Sequence, residues 1–426
     1  MDGLQYGYYL FDFDGTLADT GEGIRRSVAY SLERMGREVP AEAELNRFIG
    51  PPLHDSYMRV CGMTEAEAEQ AIAIFRERYT DVGIYEAHVY PGIAQLLRAL
   101  RQSGAYVAVA SAKPEVMVRR IIAHFGLDAY LNAIVGVSLD RREADKRDLI
   151  LAALPAGANP ARACMVGDRC FDIDAAKALG LYAVGAGYGY GPDGELEASG
   201  ADRIYDSVAA LTEGLLGKQP RGLFISLEGS DGCGKSTQIR LLNEYLIKRG
   251  FETVLTREPG GCPISERIRE VLLSLESTGM SGACEALLYA ASRVEHVRKV
   301  IRPALNCGKI VICDRFLDSS IAYQAYGREL GEAFIRQINA PAVEEAYPDL
   351  TVLLEIDRAS ACARVARSGP LDRLEREQED FFQRVQAGFN AVALAEPARV
   401  SRIDAGRPVE SVFEAIRACI EGALAV

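Results

Sequence analysis

The sequence predicts an α/β protein built from two doubly wound parallel-sheet domains. Short apolar runs alternate with segments of helical periodicity, and this alternation occurs twice along the 426 residues. Such alternation is typical of parallel sheets covered by helices. A chain of this length exceeds one compact core and favours two or three domains. We therefore expect two α/β units in succession.

The first unit is predicted to contain five strands and a helical cap. The apolar runs are Tyr8 to Asp14, Tyr106 to Ser111, Ala133 to Ser138, Cys164 to Asp168 and Tyr182 to Gly187. Between the first two runs, Ala, Glu and Arg recur with helical periodicity and no convincing strand is present. This insertion predicts a small cap at about residues 18–86.

The second unit is predicted to contain five further strands. Their apolar runs are Leu223 to Gly229, Thr253 to Glu258, Lys309 to Arg315, Leu350 to Asp357 and Ser401 to Ala405. The segment from Gly214 to Gly222 joins the units, because its Gly and Pro residues can neither continue a helix nor join a central strand. We place the boundary near Lys218, which gives domains 1–217 and 218–426.

Composition limits the classes of partner. The net charge of −12 argues against a nucleic-acid or anionic-membrane partner, because either normally requires a basic face. No apolar run approaches the ~20 residues that a membrane-spanning helix needs. The 10 cysteines lack paired spacing, which favours reduced thiols over disulfides or metal ligands. We expect a cytoplasmic protein that acts on small molecules.

The strongest motif is GSDGCGKS, which follows an apolar strand and precedes a helix. It matches the G-x-x-x-x-G-K-[ST] pattern of loops that bind nucleotide phosphates. Glycines let backbone N–H groups surround the phosphates, Lys235 bridges them, and Ser236 can bind Mg²⁺. The predicted ATP site comprises Gly229, Ser230, Asp231, Gly232, Cys233, Gly234, Lys235, Ser236 and Thr237.

Charged residues close two further strands of the second unit. Arg257 and Glu258 end one strand, and Asp314 and Arg315 end the next. Ligands in such folds bind at the carboxyl ends of parallel strands. An arginine there can hold an acceptor phosphate, while a carboxylate positions magnesium-bound water or the attacking oxygen. Together with Lys235, Asp314 and Arg315 are therefore the catalytic candidates for phosphoryl transfer.

The first unit carries a separate set of reactive residues. Asp12 and Asp14 end its first strand, and their spacing of two places both carboxylates on one side. One carboxylate can accept phosphate while the other protonates the leaving group and later activates water. Ser111 and Lys146 supply a hydroxyl and a cation for the phosphoryl oxygens. The carboxylates expected to bind Mg²⁺, which offsets the negative charges, belong to Asp12, Asp14, Asp168 and Asp172.

Residues 223–425 resemble bacterial thymidylate kinases. The resemblance rests on the blocks LEGSDGCGKSTQ, TREPGG, EALLYAASR, CDRFLDSSIAYQ, YPDLTVLLEID and LDRLEREQEDFFQRV, in this order. It implies a P-loop nucleoside monophosphate kinase fold that phosphorylates dTMP with ATP, needs Mg²⁺ and forms a homodimer. The residues that would bind dTMP are Asp231, Arg257, Glu258, Tyr289, Arg293, Arg315, Ser320, Tyr323 and Gln324.

The same resemblance implies a mobile lid at about residues 363–374. Its arginines would close over the transferring phosphoryl group and exclude water. Because Gly232 rather than arginine lies inside the phosphate loop, the family pattern assigns the catalytic arginine to the lid, and Arg367 is the first choice. Tyr289 replaces the usual phenylalanine at the base-stacking position, so another pyrimidine monophosphate stays open as acceptor.

Residues 8–216 resemble the haloacid-dehalogenase (HAD) superfamily of phosphatases, particularly its phosphoglycolate phosphatase-like and 5'-nucleotidase-like members. The resemblance rests on DFDGT, Ser111, Lys146 and GDRCFD, in this order. It implies a HAD-like Rossmannoid fold with a helical cap, Mg²⁺-dependent hydrolysis and an aspartyl-phosphate at Asp12. The variable cap leaves the phosphomonoester substrate open. A noncatalytic docking or regulatory module is the alternative for this unit.

Overall fold

The computed structural model describes residues 5–138, 145–365, 373–374 and 376–425. The chain divides into two compact units. The first comprises Met1–Gln219 and Lys248–Phe251, and the second comprises Pro220–Ile247 and Glu252–Val426. Each unit contains a parallel sheet with helices, which confirms the predicted fold class.

The first unit is centred on a six-stranded parallel sheet. Its strands are β1 (Tyr8–Phe11), β2 (Ala18–Asp19), β3 (His88–Val89), β4 (Tyr106–Pro114), β5 (Ala133–Val137), β6 (Ala163–Gly167), β7 (Tyr182–Ala186) and β8 (Arg203–Tyr205). The sheet has the order β5-β4-β1-β6-β7-β8, and β2 and β3 form a separate antiparallel ribbon. The ribbon and β8 were not predicted, because β2, β3 and β8 have at most three residues each.

Helices of the first unit fall into a cap and a sheet-covering set. Between β2 and β3 lie α1 (Gly21–Arg34), α2 (Glu42–Leu45), α3 (Leu53–Cys61) and α4 (Glu65–Tyr79). A reciprocal capping box between Thr64 and Glu67 begins α4, because it satisfies two backbone N–H groups that otherwise lack partners. The remaining helices are α5 (Ile93–Gln102), α6 (Glu115–Phe125), α7 (Lys146–Ala153), α8 (Cys170–Leu179), α9 (Glu195–Ala198) and α10 (Val208–Leu216).

The second unit is centred on a five-stranded parallel sheet of order β10-β11-β9-β12-β13. The strands are β9 (Phe224–Glu228), β10 (Thr253–Arg257), β11 (Ile310–Asp314), β12 (Leu350–Glu355) and β13 (Val400–Asp404). All five residues of β9 are buried, as expected for a strand covered by helices on both faces. Phe224 and Phe316 pack edge to face in its core, with centroids 4.9 Å apart.

Nine helices are described in the second unit. They are α11 (Lys235–Lys248), α12 (Pro263–Leu273), α13 (Gly282–His296), α14 (Arg302–Asn306), α15 (Leu317–Ser320), α16 (Glu332–Val343), α17 (Arg358–Val365), α18 (Glu379–Ala395) and α19 (Val409–Ala425). Two π-helical segments, Val297–Ile301 and Ile321–Gly327, continue α13 and α15. In the described part of the chain, no helix combines the length and apolarity needed to cross a bilayer.

Candidate active sites

The phosphate loop connects β9 to α11. Gly229, Gly232 and Gly234 have φ values of 134°, 81° and 98°, a conformation that side chains with a Cβ rarely adopt. The Nζ atom of Lys235 is buried and donates to the carbonyl oxygens of Gly229 at 3.1 Å and Ser230 at 3.0 Å. Helix α11 begins at Lys235, so its N-terminal N–H groups face the loop. The loop therefore offers backbone donors and one ammonium group to an anion.

Arg315 joins the end of β11 to this loop. Its Nη2 donates to Oδ1 of Asp231 at 2.6 Å, and its Nη1 donates to Oγ of Ser319 at 3.0 Å. Its guanidinium also lies 5.2 Å from the ring centroid of Tyr323. Burial alone would raise the pKa of Asp231, but the charges of Arg315 and Lys235 outweigh it and lower that pKa to about 2.

Asp314, the other predicted catalytic residue at this strand end, has a buried carboxylate oxygen. Its Oδ1 has no hydrogen-bond partner among the described residues. Buried polar atoms in native proteins are normally paired, so an unpaired one commonly faces a ligand, an ion or ordered water. The site thus brings Asp231, Asp314, Arg315 and Lys235 to the carboxyl ends of β9 and β11.

A second cluster surrounds Arg293. Its guanidinium donates to Glu258 at 2.6 Å, to Asn339 at 2.5 Å and to Ser320 at 3.1 Å. His296, which was not predicted to belong to the site, lies 3.0 Å from the second oxygen of Glu258. Each of the three guanidinium nitrogens of Arg293 thus has a protein partner, and the structure joins three residues predicted to bind dTMP, namely Glu258, Arg293 and Ser320.

Arg257 lies apart from this cluster. Its guanidinium is half exposed and pairs with Glu266 at 3.1 Å, while Glu266 also accepts from the backbone N–H of Gly261 at 2.8 Å. Exposed pairs of this kind are weak, so this arginine can exchange partners at low cost. Tyr289, the predicted stacking residue, is half-buried on α13 one turn before Arg293.

The predicted lid is described only at its two ends. Arg367, the first choice for a catalytic arginine, lies outside the described residues. At the N-terminal end, Arg364 approaches the carbonyl oxygen of Gly232 in the phosphate loop at 3.4 Å. At the C-terminal end, Arg373 is buried and donates to Glu285 at 2.8 Å and to the carbonyl oxygen of Leu272 at 2.9 Å. Arg373 is therefore an anchored residue rather than a solvated one.

In the first unit, the carboxyl ends of β1 and β6 bring together three carboxylates and a lysine. Oxygens of Asp12, Asp168 and Asp172 lie within 4.8 Å of one another, and all three residues are buried. Nζ of Lys146, the first residue of α7, lies 2.6 Å from Asp12 and 2.6 Å from Asp172. Burial, and then repulsion from Asp12 and Asp172, raise the pKa of Asp168 well above its usual range.

The carboxylate cluster fits a divalent cation. Oδ1 of Asp168 is buried and has no hydrogen-bond partner among the described residues, and hard cations prefer carboxylate oxygens. Glycines keep the space open, because a Cβ at Gly15 would lie 2.1 Å from Oδ2 of Asp168. Asp12, Asp168 and Asp172 are therefore the residues that would hold Mg²⁺.

Asp14 lies outside that cluster and has partners of its own. Lys113 donates to its two oxygens at 3.0 and 3.3 Å, and Thr20 donates to Oδ1. Its assignment as a metal ligand stays a prediction. The sequence interpretation missed Lys113, because the predicted strand stopped at Ser111 whereas β4 continues to Pro114. The buried Oγ of Ser111 accepts from the backbone N–H of Lys113 at 3.3 Å.

The fold and both sites define a phosphate-handling enzyme with two separate centres. One is of the P-loop kinase class, and the other is of a phosphatase class whose site is built from aspartates. A family model described as thymidylate kinase matches residues 227–416, and one described as haloacid dehalogenase-like hydrolase matches residues 9–186. The chain belongs to the thymidylate kinase family through its second unit, and its first unit is a haloacid dehalogenase-like hydrolase domain. It is an enzyme that fuses a kinase with a phosphatase-type domain.

Individual relatives match one unit or the other. A thymidylate kinase of Pelotomaculum thermopropionicum is 50% identical over 188 residues, which are 44% of this chain and 87% of the relative. One of Symbiobacterium thermophilum is 50% identical over 203 residues, 47% of this chain and 94% of the relative. The solved structure of a predicted phosphatase from Clostridium acetobutylicum is 40% identical, with a TM-score of 0.47, over 50% of this chain and 99% of that chain.

Proposed function

We propose that the second unit transfers the γ-phosphoryl group of ATP to dTMP, and that the first unit hydrolyses a phosphomonoester through an aspartyl-phosphate at Asp12. The proposal rests most directly on the position of Asp231 between two cations. Arg315 lies 2.6 Å from it and Lys235 lies 3.8 Å from it. A cation on the donor side and a cation on the acceptor side thus flank one carboxylate, and in-line phosphoryl transfer needs both phosphates held close together and aligned.

In the kinase reaction, a phosphate oxygen of dTMP forms a bond to the γ-phosphorus of ATP, and the bond from that phosphorus to ADP breaks. The loop from Gly229 to Ser236 holds the donor phosphates through its N–H groups. Lys235 leaves its two carbonyl partners and binds the phosphate oxygens on which negative charge develops during transfer. Arg315 orients the acceptor phosphate. Mg²⁺, held through Ser236, would neutralise the charge on the donor phosphates.

The remaining predicted residues position the acceptor and close the site. Glu258 fixes the guanidinium of Arg293, which holds Ser320 in place beside the base. Tyr289 stacks on the base and Tyr323 lies beneath the guanidinium of Arg315. Arg364, at the N-terminal end of the lid, approaches the phosphate loop, and Arg367 stays the proposed catalytic arginine. Lid closure would exclude water and so favour transfer over hydrolysis.

In the phosphatase reaction, an oxygen of Asp12 forms a bond to phosphorus while the alcohol leaves with a proton from Asp14. Water then attacks the aspartyl-phosphate, Asp14 accepts its proton, and inorganic phosphate is released with Asp12 restored. Lys146 aligns Asp12 through their 2.6 Å contact, and Lys113 with Thr20 holds Asp14. Bound Mg²⁺ would offset the charge of the dianionic substrate beside the carboxylate nucleophile.

Two single substitutions test this assignment. We expect Asp12→Asn to abolish Mg²⁺-dependent hydrolysis in a phosphomonoester screen while preserving dTMP-dependent consumption of ATP. We expect Lys235→Ala to have the opposite effect. Absence of hydrolysis of every phosphomonoester by the Lys235→Ala protein would favour a noncatalytic docking or regulatory module. A faster reaction with another pyrimidine monophosphate than with dTMP would change the acceptor.

The homodimer and the cytoplasmic location also belong to this proposal. The homodimer follows from the resemblance to bacterial thymidylate kinases, and the cytoplasmic location follows from the apolar runs and the cysteine pattern of the sequence. Light scattering of the purified chain tests the first of them. We expect twice the mass of one 426-residue chain, and the mass of a single chain over the working concentrations would contradict it.

A further inference from the structure

Two helical segments of the second unit carry polar residues at matching intervals of four. On α13 the residues are Glu285, Tyr289 and Arg293. On the segment that runs from α15 through the π-helix to the residue that caps its C-terminal end, they are Ser320, Gln324 and Arg328. Residues four apart share one face of a helix. Each segment therefore presents a polar row rather than a scattered set.

The two polar rows contact each other, and the chain runs in opposite directions along them. Arg293 donates to Oγ of Ser320 at 3.1 Å at one end. Glu285 accepts from Nε2 of Gln324 at 2.9 Å and from Arg328 at 3.0 Å at the other end. Tyr289 lies between these two contacts on α13. The proposed base site is therefore bounded by a guanidinium pair at one end and by a carboxylate–amide pair at the other.

Glu285 is a fully buried carboxylate with several donors around it. Burial alone would raise its pKa, but hydrogen bonds from Arg328 and Gln324, together with Arg373, outweigh burial and keep that pKa below its usual value. An ionised carboxylate accepts hydrogen bonds and cannot donate them. The amide of Gln324 must therefore turn its NH₂ group toward Glu285.

This constraint decides which atom of Gln324 remains for a ligand. The NH₂ group is engaged with Glu285, so the amide oxygen is the atom of Gln324 that does not contact this carboxylate. Gln324 is itself 2% exposed, so its side chain is held in place rather than free to turn in solvent. The group of Gln324 that remains for a ligand is therefore a hydrogen-bond acceptor and not a donor.

We propose that Glu285 is a specificity-determining positioning residue, which orients the Gln324 amide so that its oxygen accepts from the N3–H group of a thymine or uracil ring. This inference rests on the proposed dTMP kinase activity. Cytosine has an unprotonated N3, so it would place an acceptor against an acceptor. A site built for one hydrogen-bond polarity rejects the opposite polarity because a buried group is left unpaired.

The contact with Arg373 adds a second consequence to the same carboxylate. Arg373 lies at the C-terminal end of the predicted lid and donates to Oε2 of Glu285, whereas Gln324 donates to Oε1. One buried side chain therefore holds both the lid end and the base-facing amide. Neutralising Glu285 would loosen both, but only the amide can change the choice of base.

The decisive experiment compares kcat/KM for dTMP and dCMP in the full chain carrying Glu285→Gln. A glutamine at this position can donate as well as accept, so the Gln324 amide is free to turn and present its NH₂ to N3 of cytosine. We expect the preference for dTMP over dCMP to fall at least about tenfold. Arg373→Met is the matched control, because it removes a donor to Oε2 of Glu285 and leaves the Oε1 contact with the amide in place.

The outcomes separate the inference from the proposed function. Lower thermal stability with an unchanged preference in Glu285→Gln would overturn the inference, as would an equal fall in preference in Arg373→Met. Should Glu285→Gln fail to fold, Gln324→Met decides, because the inference requires the preference to fall when the acceptor oxygen is removed. Wild-type chain that phosphorylates neither nucleotide would instead contradict the proposed function.

Discussion

The guanidinium of Arg315 donates to Oδ1 of Asp231 at 2.6 Å, across the gap between the end of β11 and the phosphate loop. Arg315 adopts a φ of 70° to make this contact, an uncommon conformation for a residue with a side chain. Backbone strain of this kind is often found at functional sites. The contact also holds the Asp231 carboxylate in place, since Lys235, at 3.8 Å, is its more distant cationic neighbour. In the proposed kinase reaction, we expect Arg315 to exchange Asp231 for the acceptor phosphate.

Arg315→Met should lower kcat/KM for dTMP by about a hundredfold or more, because a charge-assisted contact to phosphate is lost from the transition state. The affinity for ATP should change much less, since Lys235 and the loop N–H groups remain. Steady-state kinetics and ATP titration measure the two effects. The control is Arg240→Met, which removes an exposed pair with Glu244 on α11. Equal losses for dTMP and ATP would contradict the assignment.

Arg373→Met should lower the free energy of unfolding of the second unit by about 2 kcal/mol, because two buried hydrogen bonds disappear and Glu285 loses a cationic partner. Thermal melting with and without an ATP analogue identifies the transition of this unit by its shift. Arg417→Met removes only exposed pairs with Glu414 and Glu421 and should cost less than about 0.5 kcal/mol. Similar losses in both variants would show that Arg373 is not anchored.

Glu228 should make the second unit less stable as the pH rises. Burial, and then the charge of Asp318, raise the pKa of Glu228 to about 7, whereas a glutamate in the unfolded chain has its ordinary pKa of 4.5. Between these values the folded state binds the extra proton, so stability falls as the pH increases through this window. Denaturation of wild type and Glu228→Gln at about pH 5 and about pH 8 measures this.

The variant should gain stability relative to wild type as the pH rises over that range. Glu228 accepts from the backbone N–H of Phe316 at 2.7 Å and from Ser319 at 2.5 Å. Weakening these hydrogen bonds in Glu228→Gln should lower the free energy of unfolding by the same amount at both pH values. The difference between the two pH values is therefore the informative quantity. A difference between variant and wild type that does not change with pH would contradict the raised pKa.

The phosphatase site should hydrolyse dTMP poorly, because efficient hydrolysis would consume the acceptor that the kinase unit needs. Release of inorganic phosphate from dTMP by the Lys235→Ala chain, compared with its best phosphomonoester, measures this preference. The Asp12→Asn, Lys235→Ala double variant gives the background rate. Rapid release from dTMP that disappears with Asp12→Asn would refute the expectation.

Strand positions were predictable because parallel strands covered on both faces are continuous apolar runs. Each predicted run overlaps a strand, and the differences are confined to the ends, as where Tyr8 to Asp14 contains the shorter Tyr8–Phe11. The phosphate loop was predictable because its chemistry is local: glycines, Lys235 and a following helix are consecutive in sequence. The fold class followed from the same local signals.

The contacts of Glu285 were not predictable, because they depend on residues far apart in sequence. A glutamate on a helix with nearby arginines has the composition of a solvated face, yet Glu285 is fully buried and meets Gln324, Arg328 and Arg373. Lys113 was missed for a related reason, since only the fold brings it to Asp14. Burial of charge is a tertiary property that periodicity does not encode.

Transfer of label from ATP carrying a labelled γ-phosphate tests the central claim most directly. In the Asp12→Asn chain with dTMP and Mg²⁺, the account predicts that label appears in dTDP in equal amount to the ADP formed, and that the added Lys235→Ala substitution abolishes it. Label that appears only in inorganic phosphate, or that remains in ATP, would contradict the account.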